Sequence, residues 1–305
     1  MNIDPHAFSL RQLQYAVAVA DTGGFRRAAE RCHVSQPSLS AQLAQLESAL
    51  GVRLFERNRR RVLPTAAGEQ LVARARRLLT EADDLARSAR HLGDPLAGTL
   101  RIGVIPTIAP YLLPEVAPAL RAKYPRLSVI WSEERTAALV RGLERGQLDA
   151  ILVALIGGMG HFAHEVIVED EFVLAAPAGH PLCRPARPAL LSELAGERVL
   201  LLEDGHCFRE QALSLCAGAG GREADFRGTS LATLALMVAG GAGITLLPTL
   251  ALDVENRRGE LRTRRFARPV PTRTLVLAWR KSSPTGAALR ELGAAMRAAY
   301  RARRR

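Results

Sequence analysis

Two cysteines nine positions apart, Cys207 and Cys216, bound the stretch HCFREQALSLC, in which His206 precedes the first. A cysteine becomes a nucleophile as its thiolate, and oxidation carries it to a sulfenic acid and then, with a second thiol, to a disulfide. The stretch predicts a helix opened by Cys207 directly after a strand. The N-terminal end of a helix favours an anion, so thiolate is favoured there, and His206 and Arg209 are basic neighbours. Cys216 shares a helical face with Ala212 and Leu215 and is expected to be buried and inert at first. Nine helical residues, at about 1.5 Å and 100° each, set the two cysteines roughly 13 Å apart on opposite faces. A disulfide needs Cα atoms within about 7 Å. Either the two never meet, as in a pair of unrelated half-buried thiols, or the segment refolds to join them.

Other sets of reactive residues are weaker. His180 with Cys183, and His161 with His164, have metal-ligand spacing, but no second pair completes a site. Cys32, at the end of a short helix, reads as a small core residue. The glycine-rich run Ala239–Gly243 precedes a strand instead of following one, which excludes a phosphate loop. No metalloprotease or nucleophile-elbow pattern occurs. These readings leave no metal or cofactor and no enzyme class with a complete motif.

The chain has 305 residues, 48% of them hydrophobic, enough for two or three domains with cores. No apolar run approaches the roughly 20 residues of a membrane span. The first residues, MNIDPHAFSLRQ, lack the basic start and apolar core of an export signal, so a cytoplasmic setting with reduced thiols is expected. The net charge of +12 is uneven: residues 1–92 carry +5, residues 256–305 carry +13, and the segment between carries −6. Basic ends around an acidic centre suggest a polyanionic partner for part of the chain.

The N-terminal basic region predicts a winged helix-turn-helix over residues 1–65. A first helix carries Leu10, Leu13, Val17 and Ala20 and stops at Gly23-Gly24. A short second helix, FRRAAERC, is followed by a tight turn at CHV. Ser35 then caps a third helix with Pro37 in its first turn. That helix buries Leu39, Leu43, Leu46 and Leu50 and offers Gln36, Ser38, Ser40, Gln42 and Gln45, short neutral groups suited to base edges in the major groove. Two strand-like runs around Arg57-Asn58-Arg59-Arg60-Arg61 predict a wing whose arginines, Arg57 and Arg59 among them, grip phosphates. Thr65 caps a longer helix over 66–92, in which Leu71, Ala75, Leu78, Ala82, Leu85, Ala89 and Leu92 form a heptad seam for a dimer.

Gly93–Gly98 reads as a linker. Beyond it, strands and helices alternate over 98–305, which predicts an α/β region with mostly parallel sheets in two lobes. Ligands of this class sit at strand C-terminal ends and helix N-termini, where Thr107, Thr136, the Asp204–Cys207 turn and Arg280 fall.

The pattern FRRAAERCHVSQPSLSAQLAQLESALGVRLFER resembles the LysR-type transcriptional regulators. GVIPTIAPYLLP, LLEDGHCFREQALSLC and TSLATLALMVAGGAGITLLP are similar to the branch of that family that senses hydrogen peroxide. The resemblance implies a winged helix-turn-helix, a linker helix and a two-lobed periplasmic-binding-protein-like effector domain, with lobe I about 98–168 and 275–305 and lobe II about 169–274. It implies that Cys207 reacts with peroxide and that Cys216 resolves it to a reversible disulfide. Thr107, Thr136, His206, Glu210 and Arg280 would surround the peroxide. Phe208 and Glu210 depart from the family's pattern. Implied partners are a double-stranded DNA operator, hydrogen peroxide, thiol reductants of the glutaredoxin or thioredoxin type, RNA polymerase, and further copies of the chain in a dimer or tetramer. A regulator answering a small organic co-inducer, and a thiol peroxidase, are the competing readings.

Overall fold

The computed structural model describes residues 8–57, 62–90, 96–184 and 186–303. The chain divides into two compact units, Met1–Arg90 and His91–Arg305.

The first unit comprises α1 (Leu10–Thr22), α2 (Phe25–Arg31), α3 (Gln36–Leu50), an antiparallel hairpin of β1 (Phe55–Arg57) and β2 (Val62–Pro64), and α4 (Ala66–Arg90). Ser9 starts α1 with a capping box, its hydroxyl accepting from Gln12 N while Ser9 N donates to the Gln12 side-chain oxygen. Ser35 caps α3 by accepting from Ser38 N. The turn between α2 and α3 is made by His33 in the left-handed region, φ 54°. Leu39, Leu43 and Leu46 form the buried stripe of α3. The Glu47 carboxylate ties that helix to the hairpin by accepting from Leu54 N at 2.8 Å and Phe55 N at 3.3 Å. Thr65 caps α4, accepting from Gly68 N at 2.9 Å. A side chain on Gly68 would meet the Leu54 carbonyl oxygen at 1.9 Å, so this crossing of backbones requires glycine.

The 25-residue α4 does not present one uniform seam. Val72 and Ala75 are buried in the core of the first unit, and Arg76 and Arg31 both pair with Asp21 of α1. Leu78 and Leu85, by contrast, are 46% and 73% exposed. The side chain of Ala89, Leu92, the wing tip with Arg59, and the first three residues of the Gly93–Gly98 linker lie outside the described residues.

The second unit contains β3 (Gly98–Val104), α5 (Ala109–Lys123), β4 (Leu127–Glu133), α6 (Thr136–Glu144), β5 (Ala150–Ala154), β6 (Phe162–Pro177), β7 (Arg198–Leu202), α7 (Cys207–Gly218) and β8 (Arg222–Gly228). These are followed by α8 (Leu231–Ala239), β9 (Thr245–Pro248), α9 (Leu252–Glu255), β10 (Leu261–Arg265), β11 (Thr272–Arg280) and α10 (Gly286–Arg303). Strand β3 pairs in parallel with β4 and β5, and β7 with β8. The remaining pairings of the second unit's named strands are antiparallel, which corrects the expectation of mostly parallel sheets. The reason is β6. Its residues 162–171 pair with β11, and its residues 172–177 pair with β9 and β10, so β6 and β11 run through the sheet in opposite directions. The run Ala150–Ala154 is fully buried, as a strand covered on both faces must be.

Candidate functional site

Three backbone segments of the second unit build the site: the loop after β3 carrying Thr107, the start of α6 carrying Arg135 and Thr136, and the turn from β7 into α7. That turn contains Gly205 at φ 91°, and a side chain there would stand 3.3 Å from Arg135 Cδ. Arg135 reaches across it, donating Nη1 to the Asp204 carbonyl at 3.2 Å and Nη2 to the Glu203 carboxylate. The starts of α6 and α7 are thereby held side by side.

Cys207 is the first residue of α7 and Cys216 lies in its last turns, as the sequence predicts. Both are free thiols, 4% and 3% exposed. Burial pushes the Cys216 thiol up to about 11, so it is protonated and unreactive near neutral pH while α7 is intact. With the helix formed, the two sulfurs belong to residues roughly 13 Å apart along its axis, too far for a bond.

The basic neighbours behave differently from expectation. Arg209 is buried and turned away into carboxylates, donating Nε to Asp204 at 2.8 Å and Nη2 to Glu223 at 3.1 Å, with Nη1 on the Leu202 carbonyl at 3.2 Å. Its charge is compensated. Burial, and then the charge of Arg135, hold the His206 imidazole below its ordinary range, so it is neutral near pH 7. What remains beside Cys207 is the N-terminal end of α7, whose first amides lack helical acceptors.

Behind Phe208 lies a buried ion pair that the sequence reading missed. Arg273 and Asp170 have side chains with 0% exposure and pair at 2.9 Å. Arg273 also donates to Thr107 Oγ1 and to the Thr107 carbonyl, both at 3.0 Å, and Asp170 accepts from Thr249 Oγ1 and Leu250 N. The guanidinium lies 5.4 Å from the Phe208 ring centroid. Arg280 is elsewhere. It donates to the carbonyls of Leu143, in the last turn of α6, and Leu148, in the loop that follows, at 2.8 and 3.0 Å. It stands at the other end of β11, about 23 Å from Arg273 at roughly 3.3 Å per residue. The expectation treated β11 as a parallel strand; because it is antiparallel to β5, its first residues lie beside the C-terminal ends of β3 and β5. Arginine at both ends of TRTLVLAWR gave no local signal of the difference.

Thr136 is 6% exposed, and its hydroxyl has no hydrogen-bond partner among the described residues. Glu210 is exposed on the first turn of α7. Of the residues expected at the site, His206 and Cys207 lie on the turn that Arg135, the neighbour of Thr136, spans, and Thr107 is linked to the Phe208 ring through Arg273. Glu210 is exposed on α7, and Arg280 bonds carbonyls at the other end of β11.

In the first unit, Ser35, Gln36, Pro37 and Ser38 are exposed at the start of α3, and Ser40 and Gln42 are half-buried. Gln42 and Gln45 accept from the Gln12 side chain at 3.1 and 3.4 Å, so Gln42 is held against α1. Arg57 closes β1. Among the described residues no group of three metal-ligating side chains occurs, and Cys183 is engaged with the Arg262 carbonyl.

A helix-turn-helix unit joined to an α/β unit with a site at converging helix N-termini defines a ligand-responsive DNA-binding regulator. The family model for bacterial regulatory helix-turn-helix proteins of the lysR family matches residues 10–69, and that for the LysR substrate binding domain matches residues 93–301. The chain belongs to the LysR family of transcriptional regulators, and its relatives are DNA-binding regulators, not enzymes. It is 43% identical over 292 residues, covering 95% of both chains, to the DNA-binding transcriptional dual regulator OxyR of Escherichia coli K12. To the hydrogen peroxide-inducible genes activator of Pectobacterium carotovorum it is 44% identical, over 90% of this chain and 91% of that one. A full-length Pseudomonas aeruginosa OxyR carrying a cysteine-to-aspartate substitution superposes with a TM-score of 0.74 at 36% identity, covering 95% of each chain. A peroxide-bound cysteine-to-serine OxyR of Corynebacterium glutamicum gives 0.66 at 32% identity, over 96% of this chain and 93% of that one. No helix among the described residues is long and apolar enough to cross a membrane.

Proposed function

We propose that this protein activates transcription in response to hydrogen peroxide, switched by a reversible Cys207–Cys216 disulfide. The carrying observation is the placement of two free, buried thiols at opposite ends of one helix, the first as its opening residue, directly after a turn that Arg135 spans. The relatives named for hydrogen peroxide support this chemistry.

In the first step the Cys207 thiolate attacks one peroxide oxygen. The O–O bond breaks, and the leaving hydroxide takes a proton to become water. Thr136 and Thr107 orient the peroxide, and neutral His206 is available to hand on the proton. The sulfenic acid adds an oxygen to a packed site, which disfavours the reduced arrangement. Once α7 loosens, Cys216 reaches water, loses its proton, and attacks the Cys207 sulfur. The S–O bond breaks and a second water leaves. A thiol reductant of the glutaredoxin or thioredoxin type reverses the bond.

In this reading the second unit is a two-lobed, periplasmic-binding-protein-like effector domain, with lobe I about 98–168 and 275–305 and lobe II about 169–274. The winged helix-turn-helix of residues 1–65 sets Ser38 and Gln36 toward base edges of an operator and Arg57 toward phosphate. The helix of residues 66–92 joins copies into a dimer or tetramer that engages RNA polymerase.

Thiol trapping with mass spectrometry tests the switch. Brief micromolar peroxide should join Cys207 to Cys216 while Cys32 and Cys183 stay alkylatable; Cys207→Ser should abolish the response, and Cys216→Ser should stop at sulfenic acid or proceed to higher oxides. All four thiols remaining free, with DNA binding unchanged, would overturn the proposal in favour of a small organic co-inducer.

A further inference from the structure

The residue next to the reactive thiol is the most deeply held side chain at the start of α7. Phe208 has 0% exposure. Its ring packs against Phe172 of β6 at a centroid distance of 5.4 Å, and the Arg273 guanidinium of β11 stands 5.4 Å from the Phe208 ring centroid. Phe172 begins the part of β6 that pairs with β9, and Asp170, two residues earlier, holds Arg273. One ring therefore plugs into a socket made by two neighbouring antiparallel strands, at the point where β6 passes from one set of partners to the other.

We propose that Phe208 is a positioning residue that locks α7 in its helical, reduced form and so sets how fast Cys216 captures the Cys207 sulfenic acid. The inference rests on the disulfide reading above. Closing that disulfide requires the first turns of α7 to unwind, and unwinding moves the residue adjacent to Cys207. Phe208 must leave the socket, giving up its aromatic pair, its place beside a buried cation and its shelter from water. The first oxidation needs no such motion, because peroxide is small and the helix can stay intact. The ring thus acts on the second step more than on the first. A tight plug prolongs the sulfenic acid, and a lingering sulfenic acid meets a second peroxide molecule, whose oxygen transfer yields sulfinic acid and water. The geometry gives the sensor a trade-off between stability of the reduced state and exposure to irreversible oxidation.

The experiment uses the full chain and stopped peroxide time courses, with sulfenic acid, disulfide and sulfinic acid at Cys207 each counted by mass spectrometry. Phe208→Leu keeps an apolar side chain but removes the aromatic pair and the cation–ring interaction, together worth about tenfold in an equilibrium or rate. The ratio of the disulfide-forming rate to the first oxidation rate should rise about tenfold, and the sulfinic fraction at high peroxide should fall. Phe172→Leu, which empties the other wall of the socket, should shift the same ratio in the same direction and serves if Phe208→Leu does not fold. A ratio unchanged in a folded variant overturns the role of Phe208. A wild-type chain that forms no Cys207–Cys216 bond overturns the underlying reading instead, so the two failures are distinguishable.

Discussion

Arg273 shows how a single side chain organises the site from behind. Its donors are spread over Asp170, the Thr107 hydroxyl and the Thr107 carbonyl, and the guanidinium lies beside the Phe208 ring. Such a pair is a weak source of net stability when intact, since desolvation offsets much of its Coulomb energy, but removing one partner strands a buried charge. Arg273→Met should therefore lower unfolding stability by about 3–5 kcal/mol in urea denaturation. It should also free Thr107, so that oxidation of Cys207 slows. A decrease below about 1 kcal/mol would show that Asp170 finds water or another donor, and that the pair does not anchor the site.

At the scale of elements, α4 divides its apolar residues between two duties. Val72 and Ala75 complete the core of the first unit, while Leu78 and Leu85 remain exposed on a helix with a heptad repeat. In the proposed reading these exposed leucines form the seam of a coiled coil with a second copy. Replacing both by lysine should leave the fold of the first unit intact and reduce the assembly by at least one step of association, as read by light scattering. Retention of the wild-type mass would assign the contact between copies to another surface.

The molecule as a whole joins a basic helix-turn-helix unit to a LysR substrate binding domain, and its DNA contacts should separate by kind. Arg57→Ala should weaken binding to every duplex and reduce the salt slope by about one for each phosphate that is no longer neutralised. Ser38→Ala, on the exposed start of α3, should instead erode discrimination between operator and random DNA. A wing variant that changed sequence preference at constant salt slope would reverse these assignments.

Local chemistry legible in the sequence determined the helix caps at Ser35 and Thr65, the stripe Leu39, Leu43 and Leu46, the wing strands, and the helix opened by Cys207, because capping and periodicity act within a few residues. The tertiary structure alone decided which charged groups meet. Arg209 resembled an activator of the thiol but is compensated by Asp204 and Glu223, the second of which arrives from β8. Arg273 and Arg280 look equivalent at the two ends of one strand, yet the antiparallel direction of β11 sends the first to Thr107 and the second to carbonyls in the last turn of α6 and the loop after it. Strand direction and long-range ion pairs depend on the path of the whole chain, and neither periodicity nor spacing encodes that path locally.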